Sequence, residues 1–589
     1  MRSILNYCEQ IAQRVERNKW LLLAVACIFS NVLFMHYYIF ATCRLEYPLS
    51  VFYFFYNLFG CAFDVSIVYA LCYLLSGMRL RASLVTTYIL LLVWSFCNVM
   101  YSRFFGQYLS WSAICQAGSL GDGLVTQSVL TGFRWADLWF VANVPLFYVC
   151  ARRITQRKMS RSFTIGYVAL SLSVLVLGLS VQFVDCWRKS HAISLSFYRH
   201  TVENAHLNLS RLSTEPKVTQ FVRGSIRGIM FKVVHDMFVD THLTDTQRDE
   251  IRSYYTDYSE RDVYTGEAPE YKNVIFIVVE SLLAEVSDLK VDGKEITPCL
   301  NNLKRLPGTA YNGKLHPNIT VGQSSDGQFI YMTGLLPLRD EVTVSKASSC
   351  VFPALPKQIS QLGSVNHSRM VIPTDATMWV QDKMCEAYGF DKLVSRPDVD
   401  PSGEKEDLND ADVFRAASQL DKADSLLFST ILTVSMHIPY DTPVDPSFTL
   451  SDASLPARYK NYLIACHYMD AQLQTYLNHL KQSGVYDESL IVIVADHHPQ
   501  LDLIDMEGKL DDYIPLYIVN SGLSETDYWT GECHQLDVFT TLLDLLGSQS
   551  VWKGLGHSLL STSYTPSVTD KAWQLSDWII RGDYFRDEK

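Results

Sequence analysis

The chain has 589 residues, of which 48% are hydrophobic and 19% are charged, and its formal net charge is −12. This length exceeds what one hydrophobic core supports, so it indicates two or three domains. The negative charge argues against a nucleic-acid partner, which would need a basic face, and the 12% aromatic content excludes a disordered chain.

The amino-terminal third is apolar and predicts a membrane domain over residues 1–186. It contains five apolar stretches, each close to the roughly 20 residues that cross a bilayer. We expect five spanning helices, at residues 20–41, 51–76, 82–101, 135–151 and 162–184. The fourth stretch is the shortest, and the topology depends on it because an even number of spans would reverse the orientation.

The charges of the short connecting segments predict the orientation. Eleven Lys and Arg residues lie before the first span and in the second and fourth loops, whereas the other two loops hold three. Positive loops stay in the cytoplasm, so we expect a cytoplasmic amino terminus. Five crossings of the cell (inner) membrane then place everything after residue 186 on the extracytoplasmic or periplasmic side.

One acidic residue, Asp64, lies inside the second apolar stretch. An ionisable group within a membrane is a functional hypothesis by default. The alternative is that Asp64 finds a partner inside the helix bundle. The residues alone do not separate these two interpretations.

A polar connector follows at residues 187–270 and predicts a helical linker. Amphipathic stretches occur at 201–212 and 218–238, and no strand pattern accompanies them. From residue 271 the pattern changes to short β-branched runs that alternate with helical segments. We expect a second domain over 271–565, followed by a tail over 566–589.

The second domain is predicted to be α/β with a mostly parallel sheet. Candidate strands cover 273–279, 369–372, 427–434, 490–494 and 514–519, and the clearest helical patterns cover 457–482 and 534–546. The first strand, NVIFIVV, is continuously apolar, as expected when both faces of a strand are buried. Chemistry in such sheets gathers beyond the carboxyl ends of the strands.

Polar side chains follow three of these strands. Glu280 comes after the first strand, His437 after the strand over 427–434, and Asp496 and His497 after the strand over 490–494. The segment GQSSDG at 322–327, with Ser324 at its centre, precedes a helical pattern. The topology therefore brings two carboxylates, two imidazoles and a hydroxyl to one edge of the sheet.

This combination predicts a metal site with a nucleophile. Carboxylates and imidazole bind Zn²⁺, Mn²⁺ or Mg²⁺, and a hydroxyl on such a cation loses its proton more readily. Ser324 at a helix amino terminus also gains free backbone N–H groups that bind phosphate. His437 could protonate a leaving oxygen. A simpler reading remains open, because Ser324 is also a good helix N-cap residue and Asp-His is a common loop start.

At these residues the chain resembles the alkaline phosphatase/sulfatase superfamily, and more narrowly the lipoteichoic acid synthases and related phosphoglycerol transferases. That family has five spans, a helical linker and an extracellular α/β domain in this order. As a set the matching motifs are specific. They are NVIFIVVES (273–281), GQSSDG (322–327), SMHIPY (435–440), YKNYLIACHYMD (459–470), SGVYDESLIVIVADHH (483–498) and HQLDVFTTLLDLLG (534–547).

The resemblance implies roles for individual residues. Glu280, Asp496 and His497 match metal ligands, and Ser324 matches the nucleophile, which also touches the metal. His437 matches a substrate-binding histidine. The family uses one divalent cation, typically Mn²⁺ or Mg²⁺, whereas phosphoethanolamine transferases use Zn²⁺. A phospholipid is the expected donor, and a glycan or lipid of the cell envelope is the expected acceptor.

Three departures from the family pattern concern the donor. Ser324 stands where the family usually has Thr, and Gln323 stands where a Lys is common. In the segment that begins at Trp379, Gln381 replaces the usual Arg. We expect Gln323, Trp379 and Gln381 to contact substrate. Because two cations are missing, a different headgroup is an alternative, and with it phosphoethanolamine transfer.

Two further functions compete with phosphotransfer. A membrane-anchored sulfatase or phosphodiesterase would use the same fold, but sulfatases need Cys or Ser in a C/S-x-P-x-R motif soon after the first strand. Residues 335–339 have Leu there, and residues 454–458 fit the motif but lie just before a long helical pattern. A non-enzymatic sensor or scaffold is least favoured, because all four core positions hold competent side chains.

Overall fold

The fold is that of a computed structural model. It describes residues 2–43, 51–115, 132–156, 220–221, 224–238, 242–261 and 271–588, apart from 340, 363–366, 406, 420–426, 442 and 567, together with four isolated residues between 165 and 173. The described residues form two compact units. The first comprises those within 1–117 and 132–240, and the second comprises those from 241 onward.

The first unit is helical and contains membrane-spanning stretches. Asn18–Thr42, Asn57–Leu75 and Leu80–Phe105 are long and apolar enough to cross a bilayer, so the chain is a membrane protein. They agree with the first three predicted spans. The helices are α1 (Arg2–Thr42), α2 (Val51–Leu75), α3 (Leu80–Phe105), α4 (Trp111–Cys115), α5 (Leu138–Arg153) and α6 (Ser225–Phe238).

The structure describes the fourth predicted span but almost none of the fifth. The fourth falls on α5, which has 16 residues and a proline, Pro145, inside it. At 1.5 Å per residue α5 is shorter than the roughly 30 Å hydrocarbon core. The fifth, 162–184, lies outside the described residues except for four isolated positions, and the amphipathic stretch 201–212 lies wholly outside them. The count of five spans therefore stays a prediction.

Asp64 has partners inside the first unit. Its carboxylate accepts hydrogen bonds from the backbone N–H groups of Ile226 and Arg227, each at 3.0 Å. These groups belong to the first turn of α6, whose donors have no partner within the helix. Gly224, just before α6, has φ +95°, and a Cβ there would lie 2.6 Å from the Asp64 carboxylate. Asp64 therefore caps α6, a helix that the sequence assigned to the connector.

The second unit contains the remaining helices and all ten described strands. The helices are α7 (Asp245–Arg261), α8 (Pro298–Arg305), α9 (Ser324–Thr333), α10 (Thr343–Ala347), α11 (Leu355–Gln361), α12 (Gln381–Tyr388), α13 (Arg396–Val399), α14 (Asp410–Ser418), α15 (Ala457–Gln482), α16 (Asp537–Leu545), α17 (Asp570–Gly582) and α18 (Tyr584–Asp587). The strands are β1 (Asn273–Val279), β2 (Lys290–Val291), β3 (Lys294–Glu295), β4 (Ala310–His316), β5 (His367–Val371), β6 (Lys392–Val394), β7 (Leu427–Leu432), β8 (Ser489–Ala495), β9 (Ile514–Val519) and β10 (Cys533–His534).

An eight-stranded sheet organises the described part of this unit. Its order is β10-β4-β9-β8-β1-β7-β5-β6. β9 runs antiparallel to β8 and β4, and the other pairings in the sheet are parallel. The prediction of a mostly parallel α/β domain is confirmed. β1, β8 and β9 are buried along their whole length, which explains why their sequences are continuously apolar.

The predicted tail over 566–589 contains helical structure. α17 and α18 pack in the second unit, where Arg248 of α7 binds Asp587 at 2.8 Å and Lys571 of α17 binds Glu250. Trp552 also packs edge-to-face against Phe585. The carboxyl-terminal segment is therefore part of the second unit, together with α7 from the predicted linker.

Candidate metal centre

Neighbouring strands place the predicted ligands side by side. β1 and β8 are parallel neighbours whose last residues, Val279 and Ala495, pair across the sheet. The next residues along the two strands are Glu280 and Asp496, so both carboxylates emerge at the same edge. His497 follows directly. Sheet register alone therefore brings together residues that are more than 200 positions apart.

Ser324 joins this cluster from α9. Its Oγ donates to Glu280 Oε2 at 3.1 Å and lies 3.1 Å from His497 Nε2. The same Nε2 lies 3.6 Å from Glu280 Oε1 and 3.6 Å from Asp496 Oδ2. The structure thus brings the four predicted core residues into one group, in which Ser324 is partly exposed and the other three are buried.

Surrounding hydrogen bonds fix the orientation of the ligands. Ser281 donates from Oγ to Glu280 Oε1 at 2.6 Å and from its backbone N–H to Asp496 Oδ1 at 2.8 Å. His497 Nδ1 donates to the carbonyl of His498 at 2.7 Å, which leaves Nε2 for the cluster. Thr433 accepts the backbone N–H of Glu280 at 2.9 Å.

The electrostatics of the cluster reflect two buried carboxylates beside an imidazole. Burial, followed by the charge of Glu280, raises the pKa of Asp496 to about 7. Burial opposes the ionisation of Glu280, but the charges of His497 and His437 outweigh it and lower the Glu280 pKa. Burial also opposes protonation of His497, yet Asp496 and Glu280 raise its pKa. The carboxylates therefore favour a positive charge at this point.

A divalent cation fits this donor set. Ligand atoms of Glu280, Asp496 and His497 lie within 4.8 Å of one another, and all three residues are buried. Two carboxylate oxygens and one imidazole nitrogen form a ligand set suited to Zn²⁺ or Mn²⁺. Burial, and then the charge of Glu280, disfavour the ionised form of Asp496, and a cation at this group would offset both effects. The group is a candidate divalent-cation site.

The local backbone holds Ser324 at the start of α9. The preceding Gln323 has φ +47° and ψ −119°, a region that non-glycine residues rarely adopt. Asp326 closes the turn, because its Oδ2 accepts the N–H groups of Thr320 and Gly322, each at 2.9 Å. The strained turn thereby points the Ser324 hydroxyl toward the ligands.

Two positioning features were missed by the sequence analysis. Ser281, with φ +54°, contacts both carboxylates, and the only sequence signal for it is its place next to Glu280. Gly327 lets α9 approach the end of β8, since a Cβ there would lie 2.5 Å from the Asp496 carbonyl oxygen. Sequence pattern alone could not distinguish Gly327 from an ordinary helical glycine.

His437 lies near the cluster but outside the ligand group. Its charge lowers the Glu280 pKa, and its Nδ1 donates to the carbonyl of Ile438 at 2.7 Å. The hydrogen bond leaves Nε2 available to another partner. This placement agrees with a substrate-facing histidine, which is the role predicted from the resemblance.

The other predicted substrate residues occupy different places. Gln323 is partly exposed beside Ser324, whereas Gln381 is 4% exposed and donates to Gln328 Oε1 at 3.1 Å. Gln328 lies one turn after Ser324 on α9. Trp379 is partly buried against the core and has φ +52°. Among the described residues, neither Trp379 nor Gln381 forms a hydrogen bond with Glu280, Asp496 or His497.

The sulfatase-like motif at 454–458 forms the turn that precedes α15 and the first two residues of that helix. Ser454 is exposed and donates from Oγ to Asp452 at 2.6 Å, immediately before α15 begins at Ala457. This is a local turn at a helix start, as expected. It supplies no nucleophile to the cluster.

Family models match both units of the chain. Residues 1–202 match the lipoteichoic acid synthase N-terminal domain, and residues 272–548 match the sulfatase domain. Lipoteichoic acid synthase 2 from Bacillus subtilis is 26% identical over 479 residues, which cover 77% of this chain and 70% of that protein. Lipoteichoic acid synthase from Staphylococcus saprophyticus is 24% identical and covers 80% of this chain and 74% of that protein.

Solved structures are also similar to this chain. Lipooligosaccharide phosphoethanolamine transferase A from Neisseria meningitidis is an integral membrane protein that covers 91% of this chain and 98% of its own, with a TM-score of 0.51 and 14% identity. Lipoteichoic acid synthase LtaP from Listeria monocytogenes covers 54% of this chain and 82% of its own, with a TM-score of 0.44 and 22% identity. The second unit is a sulfatase/alkaline phosphatase-like domain, and the chain resembles the lipoteichoic acid synthase-like phosphoglycerol transferases of the alkaline phosphatase superfamily, as its motifs predicted.

Proposed function

We propose that this protein transfers the phosphoglycerol headgroup of a membrane phospholipid to an envelope acceptor, through a covalent intermediate on Ser324. The observation that supports this most directly is the position of the Ser324 hydroxyl, 3.1 Å from both Glu280 Oε2 and His497 Nε2. A hydroxyl within a cation-binding group is a nucleophile rather than a mere helix cap. The curated relatives are lipoteichoic acid synthases.

Glu280, Asp496, His497 and Ser324 would hold one divalent cation. Such a cation lowers the pKa of a hydroxyl that it contacts and offsets negative charge on a phosphoryl group. We infer Mn²⁺ or Mg²⁺, with Zn²⁺ as the alternative. Elemental analysis of protein purified without added metal tests this identity.

In the first half-reaction, Ser324 Oγ attacks the phosphorus atom of the headgroup phosphodiester. The bond between Oγ and phosphorus forms while the bond between phosphorus and the diacylglycerol oxygen breaks, and the Ser324 proton passes to solvent. His437 Nε2 donates a proton to the departing oxygen, so diacylglycerol leaves as an alcohol. The N–H groups of Ser325 and Asp326 donate to the carbonyls of Gly322 and Gln323, each at 3.0 Å, so the proposed attack does not rely on them to bind the phosphoryl oxygens.

In the second half-reaction, an acceptor hydroxyl attacks the phosphorylated Ser324. Nε2 of His437 takes the acceptor proton. The bond between phosphorus and Ser324 Oγ breaks, and Oγ regains a proton from solvent. The acceptor is a glycan or lipid of the envelope. We propose that the headgroup site is shaped by Gln323, Trp379 and Gln381. Gln323 directly precedes Ser324, and Gln381 donates a hydrogen bond to Gln328, which lies one turn after Ser324 on α9.

The membrane organisation belongs to the same proposal. We propose five spans over residues 1–186, a connector over 187–270 and a catalytic domain over 271–565 with its carboxyl-terminal segment. The amino terminus lies in the cytoplasm and the catalytic domain lies outside the membrane. Donor lipid and envelope acceptor are both available on that side.

A second candidate function is phosphoethanolamine transfer. It is favoured by the neutral side chains of Gln323 and Gln381, which leave the headgroup site with less positive charge than the family pattern supplies. The chemistry at Ser324 would be unchanged, and phosphatidylethanolamine would be the donor. A sulfatase, a phosphodiesterase and a non-enzymatic scaffold are the remaining alternatives.

The test is mass spectrometry of the Ser324 peptide. Full-length protein in lipid nanodiscs is incubated with Mn²⁺ and either phosphatidylglycerol or phosphatidylethanolamine, and the mass added to the peptide identifies the transferred group. In Ser324→Ala we expect no adduct, turnover lower by at least about 1000-fold, and Mn²⁺ affinity within roughly tenfold of wild type.

Each alternative has its own outcome in this test. Lipid consumed without an adduct on Ser324 indicates a phosphodiesterase, and release of sulfate from a sulfate ester indicates a sulfatase. Wild-type protein that binds no divalent cation and consumes no lipid favours the scaffold. Full activity in Ser324→Ala would remove the mechanism.

A further inference from the structure

A further buried carboxylate, Asp410, lies at the start of α14. Asp410 is fully buried, and its Oδ1 accepts the backbone N–H groups of Val434 at 2.7 Å and Ser435 at 3.0 Å. In return, Ser435 Oγ accepts the Asp410 N–H at 2.9 Å. These three bonds join α14 to the loop that leaves β7.

This use of Asp410 is unusual for its position in the helix. Capping of α14 is performed by other residues, because Asn409 and Asp412 exchange hydrogen bonds across the first turn. Asp412 also binds Arg415 at 2.9 Å and Lys405. Asp410 instead directs its carboxylate away from its own helix, to the neighbouring loop.

The loop held by Asp410 touches the catalytic cluster at one end and carries His437 at the other. Thr433 Oγ1 accepts the Glu280 N–H at 2.9 Å. Val434 and Ser435 bind Asp410, and the N–H of His437 donates to the Val434 carbonyl at 2.9 Å. Asp410 therefore fixes the middle of a segment that binds the Glu280 backbone at one end and carries His437 at the other.

The negative charge of Glu280 affects the pKa of Asp410. Burial, and to a smaller extent Glu280, raise the pKa of Asp410 to about 6, although the N–H donors of Val434 and Ser435 oppose the rise. Burying a carboxylate near another carboxylate destabilises the folded protein unless hydrogen bonds compensate for the lost hydration.

We infer that Asp410 is a positioning residue, which sets the place of His437 relative to Glu280 by clamping the backbone at Val434 and Ser435. This inference rests on the proposed phosphotransfer. It predicts that loss of the clamp lowers kcat, because His437 acts on the leaving oxygen, while the donor affinity changes little.

The chain offers a matched control in Asp470 of α15. Asp470 is also buried, and its carboxylate accepts two backbone N–H groups, from Cys299 at 2.8 Å and Leu300 at 2.9 Å. Burial raises its pKa as well. Its partners lie in α8, so its removal costs similar hydrogen bonds elsewhere in the domain.

The experiment compares Asp410→Ala, Asp410→Asn and Asp470→Ala in the full-length protein in nanodiscs. For headgroup release from phosphatidylglycerol, Asp410→Ala should lower kcat by about 10- to 100-fold with KM changed less than about threefold. Asp410→Asn should stay within about threefold of wild type, because the amide oxygen still accepts both N–H groups. Asp470→Ala should keep the wild-type kcat despite a similar loss of thermal stability.

Hydrogen exchange provides a readout that does not depend on activity. Exchange of a peptide over 433–440 should rise in Asp410→Ala and stay at the wild-type level in Asp470→Ala. The inference is overturned if Asp410→Ala keeps wild-type kcat, if Asp410→Asn is as impaired as Asp410→Ala, or if exchange at 433–440 is unchanged. Wild-type protein that consumes no lipid refutes the proposed function instead, and the exchange result still decides whether the clamp exists.

Discussion

At the residue scale, protons and the proposed cation would compete for the same atoms of the cluster. Asp496 has its pKa raised to about 7 by burial and by Glu280, and the two carboxylates raise the pKa of His497. Both groups must lose their protons before they can act as ligands. The Glu280 pKa is lowered, so this carboxylate stays ionised near neutral pH.

Cation affinity should therefore depend on pH. From about pH 8 to about pH 6, we expect the affinity for Mn²⁺ to fall by roughly tenfold per pH unit for each competing proton. The sign follows because raised pKa values mean that protons occupy the ligands below neutral pH. Electron paramagnetic resonance titration of Mn²⁺ measures the free cation directly. An affinity that stays constant over this range would show that Asp496 and His497 are not ligands.

At the element scale, the site depends on how closely α9 approaches the end of β8. Gly327 has no room for a side chain, because a Cβ would meet the Asp496 backbone at 2.5 Å. Sheet register positions Asp496, whereas helix packing positions Ser324. The proposed nucleophile comes from α9 and the proposed ligands from the ends of β1 and β8, and Gly327 sets how closely α9 approaches Asp496.

The variant Gly327→Ala should separate these two contributions. The added methyl group pushes α9 away from Asp496, so we expect headgroup transfer to fall by about 10- to 100-fold while the ligands on β1 and β8 still bind Mn²⁺. The control is Gly582→Ala in α17, where a Cβ would lie 2.5 Å from the Leu243 side chain. That variant should lose stability and keep its activity. Equal activity losses in both variants would contradict the proposed role of Gly327.

A second contact between elements involves Asp64 and α6. Asp64→Ala leaves two backbone N–H groups of α6 without their acceptor, and we expect it to lower the free energy of unfolding by about 1–2 kcal/mol. Asp64→Asn should lose less, because its amide oxygen still accepts. Thermal unfolding in detergent, with hydrogen exchange over 224–238, measures the effect. If Asp64→Ala kept full stability but lost transfer activity, the carboxylate would be functional rather than a helix cap.

At the scale of the whole molecule, the proposed function requires the second unit to face the envelope acceptor. The described part contains three helices that can span a membrane, and the proposed orientation needs an odd number of crossings. We expect protease added to intact cells to cut the second unit and to spare an amino-terminal tag. Digestion of the tag with protection of the second unit would reverse the topology. A cytoplasmic protein of known location provides the control for cell integrity.

Many of the strands and helices of this protein can be predicted from local patterns of apolar and polar residues. Continuous apolar runs gave β1, β8 and β9 almost to the residue, because strands buried on both faces must be apolar throughout. The long amphipathic pattern of α15 was predicted over its whole length. The same logic placed Glu280, His437, Asp496 and His497 after strands, and the first three membrane-spanning stretches follow from length and hydropathy.

Other features depend on contacts between distant segments, which no local pattern records. Asp64 is bound to the start of α6, some 160 residues later, and Asp410 to the loop after β7. Both are carboxylates that accept backbone N–H groups, and any exposed Asp has the same sequence signature. Periodicity and composition specify which face of an element is buried, so they determine the elements and the edge where the chemistry lies. Only tertiary packing specifies which groups meet there, because hydrogen bonding and burial depend on distance in space rather than along the chain.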